Sequence, residues 1–382
     1  MSSWAQGCER IQLQAAARLH IMVTRDPAPR LDRIPNPHER KRIMTTISAT
    51  DADEIPKVEG AGEVLEIDGR TVQRMHNGLL LEEGGYGGPW MTEIIRSLHG
   101  HHEPQEERVF HAIVERLKAE GGPKRMIEFG SYWSYYSLWF ATSITDAEVI
   151  GLEPDPNNME VGRRNAKLNI AGEKVTFIAG AIGADPGGKM IFENESDGRS
   201  TEVELYDMPS LFATKGWDSV DLILADIQGA ETSLLEISEN EFVAGRVRFA
   251  VISTHHNSIS GDPLTHQRAL EFFQRIGAHI IAEHSVPESF SGDGLIAVAF
   301  REKDKDLVVP ITFARARDSI FDELEWELHR ANEREQIIKQ ERNVAEERAE
   351  IAEAFEYRVR TSAPWRAAAP LRTVYSRIRR GH

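Results

Sequence analysis

Carboxylates lie at or near the ends of two short apolar runs in this chain. Val220–Ala225 is followed directly by Asp226, and Arg125–Gly130 contains Glu128 and ends on Gly130. Open α/β sheets bind their ligands in the crevice at the carboxyl ends of parallel strands. The two strand ends therefore predict a single site, with a nucleotide-like ligand beside a reactive group.

The next two strand ends carry the residues expected around a nucleoside. Glu153 and Asp155 stand where a carboxylate can accept the hydroxyl protons of a ribose, and Ala181 and Ile182 are small enough to admit a flat base. The sequence motif that binds the pyrophosphate of a nicotinamide dinucleotide contains three glycines, but only Gly130 is present here. The pattern favours S-adenosylmethionine, with an NAD-linked oxidoreductase and a sheet without cofactor as alternatives.

Two histidines follow the predicted fifth strand, and they supply the candidate chemistry. His255 and His256 should face Asp226 if their strands are adjacent. One of them is a candidate general base for a hydroxyl acceptor, because histidine accepts protons near neutral pH. The alternative is a divalent cation such as magnesium, bound by Asp226 and His255, that lowers the pKa of the hydroxyl. The base without metal is favoured, and the choice stays open.

Four motifs together resemble the FkbM family of S-adenosylmethionine-dependent methyltransferases. They are EFGSYWSYYSLWF, GLEPDPNN, ADIQGAE and VISTHH, and the resemblance covers about residues 60–300. It implies a class I methyltransferase (Rossmann-like) α/β fold. It also implies O-methylation, often of sugar hydroxyls in polysaccharides, glycolipids or natural products.

The resemblance also implies roles for individual residues. It places Glu128 and Gly130 in the first cofactor motif, Glu153 at the ribose and Asp226 beside the methyl group. Ser134 stands where the family usually has a second glycine, so this loop departs from the family pattern. The full set of predicted cofactor-binding residues is Glu128, Gly130, Ser131, Tyr132, Glu153, Asp155, Ala181, Ile182 and Asp226.

Strand and helix patterns alternate from Lys124 onward, which is typical of a mostly parallel sheet covered on both faces. No helix separates the last two strands, which predicts an antiparallel last strand. The stretch Lys189–Asp207 predicts an inserted hairpin. The seven predicted strands are Arg125–Phe129, Glu148–Leu152, Val175–Ala179, Val220–Ala225, Arg248–Ser253, Ala278–Glu283 and Leu295–Phe300. The predicted helices are Tyr135–Thr142, Asn157–Asn169, Ala230–Ser238 and Leu264–Ile276.

The segments before this domain carry weaker signals. Residues 1–60 are rich in Arg, Pro and Asp, which predicts disorder, and the change of composition at Met44 raises the hypothesis that translation starts there. Residues 61–123 are expected to form a cap on the acceptor side, and residues 124–306 the cofactor-binding methyltransferase domain. The cap is predicted to hold strands at Val64–Ile67 and Gly78–Glu82 and a helix near Glu106–Glu120.

Aromatic and histidine clusters mark the cap. Tyr86 and Trp90 could stack on a sugar ring or belong to a plain glycine-rich turn. Helix capping and a solvent-exposed helix face are the ordinary explanations of the polar cluster His99–Glu107. The alternative is that this cluster forms a wall of the acceptor site. Three further histidines are expected to be structural: His266, His279 and His284.

Charge separates the C-terminal segments from the rest. Residues 317–356 are acidic and predict one long helix, either a coiled coil with Ile337, Val344 and Ile351 on its seam or a solvated helix. Residues 357–382 contain seven arginines and no acid, which suits an amphipathic segment on an anionic membrane surface or a disordered tail.

Composition narrows the classes of function. A net charge of −16 argues against a nucleic-acid binder, and a single cysteine excludes an internal disulfide. We expect a cytoplasmic protein, or one at the inner face of the membrane, that serves polysaccharide biosynthesis. A homo-oligomer is expected, with its basic tail contacting a membrane-bound glycan-assembly complex. The rival hypothesis is a non-catalytic scaffold assembled through the long helix.

Overall fold

The computed structural model describes residues 29–314 and 324–371. The chain forms two compact units, Met1–Asp322 and Glu323–His382. Within the described residues, the first unit holds a seven-stranded sheet and two three-stranded sheets, and the second unit is helical.

A short helix near the N-terminus packs into the first unit. Helix α1 spans Pro37–Thr46, with proline in its first turn and Asn36 accepting a backbone hydrogen bond at its start. Ile34 and Ile43 are buried in the core. Met44 lies inside this helix, so the change of composition there is not the boundary of a structural element.

The prediction of disorder for residues 1–60 is wrong for residues 29–60. Besides helix α1, this stretch buries Ala52 and Ile55 in the core cluster of the first unit. The apolar residues are too few and too scattered to show a period, and they become ordered because the rest of the unit provides a surface to cover. Residues 1–28 lie outside the described part of the chain.

The cap forms a small antiparallel sheet and two helices. Its elements are β1 (Val64–Ile67), β2 (Arg70–Arg74), β3 (Leu80–Glu82), α2 (Pro89–Ser97) and α3 (Pro104–Glu120). The sequence located β1, β3 and α3 but missed β2 and α2. Strand β2 is too polar for an alternating pattern, and its place in the sheet comes from pairing on both sides.

The main sheet and its helices follow in regular order. The elements are β4 (Lys124–Phe129), α4 (Tyr135–Ser143), β5 (Ala147–Glu153), α5 (Pro156–Leu168), β6 (Val175–Ala179), β7 (Ala181–Ile182), β8 (Lys189–Glu193), β9 (Ser200–Tyr206), α6 (Met208–Lys215), β10 (Val220–Ala225), α7 (Glu231–Ile237), α8 (Glu239–Val243), β11 (Val247–Thr254), α9 (Asn257–Ser260), α10 (Thr265–Arg275), β12 (His279–His284) and β13 (Gly294–Ala299). Strands β8 and β9 form the predicted hairpin. Each predicted strand and helix has its counterpart within two residues.

The strand order of the main sheet is β12-β13-β11-β10-β4-β5-β6. Neighbouring strands from β11 to β6 run parallel, and β13 lies antiparallel to both β11 and β12. This confirms the α/β class I methyltransferase (Rossmann-like) architecture with an antiparallel last strand. The carboxyl ends of β4, β5, β10 and β11 therefore share one edge with the amino end of β13.

Both faces of the sheet are buried. Successive residues of a strand point to opposite faces, and Met126 and Ile127 accordingly belong to two different core clusters. Helices α3 and α4 supply Phe110 and Leu138 to one cluster, while α7 supplies Leu234 to the other. This packing on both sides fixes the strand ends that carry the candidate site.

The second unit contains α11 (Leu324–Thr361) and α12 (Ala363–Ala367). The long predicted helix is thus present from residue 324, while residues 317–323 and 372–382 lie outside the described part. Ile337, Val344 and Ile351 are exposed on α11. Among the described helices, none is both long and apolar enough to cross a membrane.

Candidate functional site

A cavity of about 580 Å³ lies at the edge where the four carboxyl ends meet. Two groups of residues line it, together with Asp226 and His255. The glycine-loop half comprises Glu128, Gly130, Ser131, Tyr132 and Glu153. The aromatic half comprises Arg42, Tyr86, Trp90, His102, Glu103 and Asp293.

Gly130 lets the chain pass between two strand ends. Its φ is +76°, and a Cβ at this position would lie 2.0 Å from the backbone oxygen of Asp226. Only glycine fits this position, because both the backbone conformation and the space exclude a side chain. The predicted glycine is therefore required to bring the first loop against Asp226.

Two further residues of the first loop have a positive φ without being glycine. Tyr132 has a φ of +32° and Ser134 a φ of +62°. Gly162 on α5 packs against this turn, since a Cβ there would lie 2.5 Å from both the Ser134 hydroxyl and the Tyr132 carbonyl oxygen. Ser134 thus adopts a left-handed conformation, for which glycine is the usual residue, and this conformation strains the backbone.

Two buried acids shape the glycine-loop half. Glu153 accepts backbone hydrogen bonds from Tyr132 and Asp155, both at 2.9 Å. Glu128 accepts one from the backbone of Ser137 at 3.0 Å. Burial raises the pKa of Glu153 to about 7 and that of Glu128 to about 8. Each Glu153 oxygen keeps a lone pair for a ligand hydroxyl.

Three predicted cofactor residues are not among those that line the cavity. Asp155 is buried and caps α5, accepting hydrogen bonds from Asn157 and from both the backbone and the hydroxyl of Ser196. Ala181 and Ile182 form β7, which pairs with β9. All three residues thus support the inserted hairpin, and their predicted role in cofactor binding stays a prediction.

His255 is enclosed by carboxylates. Its Nδ1 lies 2.8 Å from Glu231, and its Nε2 lies 3.0 Å from Asp226 and 3.7 Å from Asp293. Burial alone would lower the pKa of His255, but the charges of Asp293 and Asp226 and its hydrogen bonds to Asp226 and Glu231 raise it well above its ordinary value. Both ring nitrogens thus face carboxylates, and this geometry argues against the predicted role of His255 as the base.

Asp293 is the titratable group best suited to accept a proton in this cavity. Burial raises its pKa to about 6, with the charge of His255 opposing the rise and that of Asp226 adding to it. It directly precedes β13, and Gly294 pairs with Thr254 at the end of β11. Asp293 therefore lies beside His255 at the edge that carries the other strand ends.

His256 is not part of the cavity lining. Its Nδ1 accepts the backbone N–H of Ser258 and caps the short helix α9. The prediction of a catalytic role for His256 is therefore not supported, because the chain leaves the strand direction after His255. The three histidines expected to be structural make hydrogen bonds outside the cavity lining; they are His266, His279 and His284.

The His99–Glu107 cluster is mostly buried and contributes to the cavity wall. Glu107 accepts hydrogen bonds from the rings of His101 and His102 and from the hydroxyl of Tyr135. His102 Nε2 lies 3.2 Å from Glu103. Burial would lower the pKa of His102, but Glu103 and Glu107 raise it to about 10. The cluster is therefore neither a simple helix cap nor a solvent-exposed face. It forms a charged part of the cavity wall.

Aromatic rings form the neighbouring wall. Tyr86 stacks on Trp133, with ring centroids 4.6 Å apart and planes inclined by 13°. Trp90 lies beneath the guanidinium of Arg42, which is 4.7 Å from the ring centroid. The glycine-rich segment that carries Tyr86 and Trp90 is therefore a cavity wall and not a plain turn.

Sequence reasoning missed three residues of this site. Arg42 lies in the segment predicted to be disordered, and no local signal marks it. Glu231 closes the ADIQGAE motif but received no role. Asp293 had a usable signal: an acid directly before an antiparallel last strand must lie at the same edge as the carboxyl ends of the parallel strands.

The predicted metal ligands are engaged with each other. His255 Nε2, which would have to bind the ion, is hydrogen-bonded to Asp226. Within the described residues, a cluster with ligand atoms within 4.8 Å of one another is instead His76, His101 and Glu107. This buried cluster is linked by its own hydrogen bonds through Tyr135 and Glu107.

Comparison with known proteins gives a match at the level of a family. Residues 121–286 match the family model described as the methyltransferase FkbM domain. The comparison with curated proteins gave no match.

Solved structures share the general architecture at low identity. A precorrin-6y C5,15-methyltransferase from Geobacter metallireducens GS-15 is 13% identical, with 50% of this chain and 88% of that chain covered and a TM-score of 0.33. An O-methyltransferase from Bacillus cereus in complex with SAH is 14% identical, with 50% and 80% covered and a TM-score of 0.33. A putative O-methyltransferase from Klebsiella pneumoniae is 14% identical, with 75% and 96% covered and a TM-score of 0.33. These likenesses carry no argument about function.

The family match covers the part of the chain that builds the glycine-loop half of the cavity. It contains Gly130, Glu153, Asp226 and His255, which the main sheet brings to one edge. The part of the chain that is similar to the methyltransferase FkbM domain, residues 121–286, is therefore also the part that places these four residues together.

Proposed function

We propose that this protein is an S-adenosylmethionine-dependent O-methyltransferase that acts on a hydroxyl of a sugar, a glycan or a glycosylated natural product. The observation that carries the proposal is the single cavity in which a glycine loop and Glu153 face aromatic rings and ionised side chains. Its size falls within the range of about 300–1,000 Å³ that is usual for small-molecule sites.

The glycine-loop half fits the methyl donor. The backbone of Gly130 offers a surface without a side chain, and Glu153 can accept the two ribose hydroxyls. The hydroxyl of Ser131 is buried and makes no hydrogen bond within the described residues. When bound, S-adenosylmethionine would supply an electrophilic methyl group on a sulfonium.

The aromatic half fits a saccharide. The rings of Tyr86 and Trp90 line this half, together with Glu103, Asp226 and Asp293, whose carboxylates can accept hydrogen bonds from hydroxyl groups. Aromatic bodies with polar tips suit a ligand that is apolar on its ring faces and polar at its edges.

Asp293 is proposed as the proton acceptor. The Asp293 carboxylate would take the hydroxyl proton as the acceptor oxygen bonds to the methyl carbon that S-adenosylmethionine would supply, with the sulfur leaving as a neutral thioether. His255 acts as a positioning residue, because its ring is fixed between Glu231 and Asp226 and its charge holds Asp293 ionised. The scheme uses no divalent cation, because the Asp293 carboxylate takes the proton and the ring of His255 lies 3.7 Å from it.

Calorimetric titration of S-adenosylmethionine and S-adenosylhomocysteine tests the donor site. Glu153→Ala should weaken both about ten- to a hundredfold, the value of lost hydrogen bonds to a carboxylate. Glu160→Ala removes an exposed acid of α5 and should bind as wild type. Parallel titrations with EDTA and with magnesium should agree. Absence of binding to the wild type would reject the methyltransferase proposal in favour of the scaffold hypothesis.

The exposed apolar residues of α11 support a proposal about assembly. Ile337, Val344 and Ile351 recur every seven residues and are 41–60% exposed, which favours a homo-oligomeric coiled coil. Replacing all three by glutamate in the full chain should lower the mass measured by light scattering. An unchanged mass would show that α11 is not the oligomerisation element. Contact of the basic tail with a membrane or a glycan-assembly complex stays a prediction.

A further inference from the structure

Arg42 is a cavity residue whose positive charge lowers the pKa of the neighbouring Asp293 and Tyr86. It projects from α1 onto Trp90. Within the described residues it makes no hydrogen bond or ion pair. Arg248 shows the ordinary alternative, since its guanidinium is held by Asp304 and Glu120.

The position of Arg42 is fixed by its neighbours. The adjacent Ile43 is fully buried, and the hydroxyl of Thr46 donates a hydrogen bond of 2.8 Å to the backbone oxygen of Phe290. Phe290 belongs to the loop that carries Asp293. The helix that presents the guanidinium is therefore anchored to the loop of the proposed proton acceptor.

The guanidinium of Arg42 lies over the Trp90 ring, and its N–H groups make no hydrogen bond within the described residues. A guanidinium carries five N–H donors in its plane, arranged as a fork that matches a carboxylate or a phosphate. A cation–π contact involves the charge of the guanidinium and does not use up its hydrogen-bond donors, so these donors can still bind a ligand. Arg42 is also the one lysine or arginine that lines the cavity among the described residues.

The charges around the cavity make Arg42 the position that an anion would prefer. The negative charges of Glu103 and Asp226 would repel an anion from most of the cavity. Protonated His102 and His255 are each already bound to carboxylates. An anionic group entering the cavity therefore finds open donors at Arg42.

We propose that Arg42 and Trp90 form a subsite for an oxyanion of the acceptor, so that the methylated saccharide is an acidic one carrying a carboxylate or a phosphate. The sugar ring lies against the aromatic wall, and the oxyanion takes the fork of Arg42. This inference rests on the proposed function, because it names the substrate class of the same cavity.

Ligand-observed NMR titration of the full chain tests the subsite, with and without S-adenosylhomocysteine. The probes are methyl galactoside, methyl galacturonoside and galactose 6-phosphate. At least one acidic probe should bind about tenfold or more tightly than the neutral one, and the two acidic arms tell a carboxylate from a phosphate. Arg42→Gln should abolish this preference, and Arg42→Lys should restore part of it. Lys41→Gln, which removes an exposed charge from the same helix, should leave it unchanged.

Three outcomes would overturn the subsite: equal affinity for neutral and acidic probes, no detectable binding of either acidic probe, or a preference that survives Arg42→Gln. Failure of the donor site is a separate result. It would appear as absence of S-adenosylhomocysteine binding, while the titrations without that ligand still report on Arg42. Circular dichroism and thermal unfolding of each variant show whether a loss reflects unfolding.

Discussion

The glycine-loop half and the aromatic half of the cavity differ in how their residues are distributed along the chain. The first half comes from residues 128–153, a single βαβ unit. The second draws on α1, the cap, and the loop before β13. The local half binds a ligand through backbone shape, whereas the dispersed half depends on charges brought together by tertiary packing.

The sharpest test of the dispersed half is Asp293→Asn. The amide keeps the size of the side chain but cannot accept the hydroxyl proton, so kcat should fall about 100- to 10,000-fold. In the wild type the rate should drop as pH falls through about 6, where Asp293 becomes protonated. The measurement is the pH profile of methyl transfer to a saccharide acceptor.

Asp218→Asn, at an exposed position outside the cavity lining, is the control and should keep the wild-type profile. Asp293 would lose its role if the Asn variant retained about half of the wild-type kcat, or if the acidic limb near pH 6 persisted in it.

Gly130→Ala tests the local half. The added Cβ would lie 2.0 Å from the backbone oxygen of Asp226, so the loop must move. The strained φ alone costs about 1–3 kcal/mol, and the displaced loop should weaken S-adenosylhomocysteine binding as well. Gly187→Ala has a φ of +82° and no atom within 4 Å of the new Cβ, so it isolates the cost of φ. Equal losses of stability and unchanged binding in both variants would refute the proposed close approach.

His255→Gln tests whether the charge of His255 sets the pKa of Asp293. The positive charge of His255 lowers the pKa of Asp293. Its removal should therefore move the acidic limb of the rate profile to higher pH. His38→Gln on the exposed side of α1 should leave the limb in place. A lower kcat with an unmoved limb would assign His255 a packing role only.

The same contrast explains what the sequence could predict. All seven strands of the main sheet and the residues Glu128, Gly130 and Glu153 follow from local patterns, because apolar runs and strand ends are local features. Arg42 could not be found in this way, since its position depends on where α1 docks. Asp293 was within reach through strand order, whereas the charge state of His255 required three carboxylates distant in sequence.

The smallest expected effect concerns the strain stored in the local half. Ser134 is fully buried with a φ of +62°, and its hydroxyl makes no hydrogen bond within the described residues. Ser134→Gly relieves about 1–2 kcal/mol of left-handed strain and removes a buried polar group. The greater freedom of glycine in the unfolded chain opposes this by about 0.5–1 kcal/mol.

Urea unfolding should therefore show Ser134→Gly to be more stable than wild type by about 1 kcal/mol. Ser134→Ala removes the hydroxyl but keeps the Cβ in the left-handed region, so the difference between the two variants measures the strain less the opposing entropy of glycine. If alanine stabilises as much as glycine, the strain is no larger than that entropy, about 0.5–1 kcal/mol. The loop would then need no glycine to adopt its shape, and the serine would be no departure from the family's geometry.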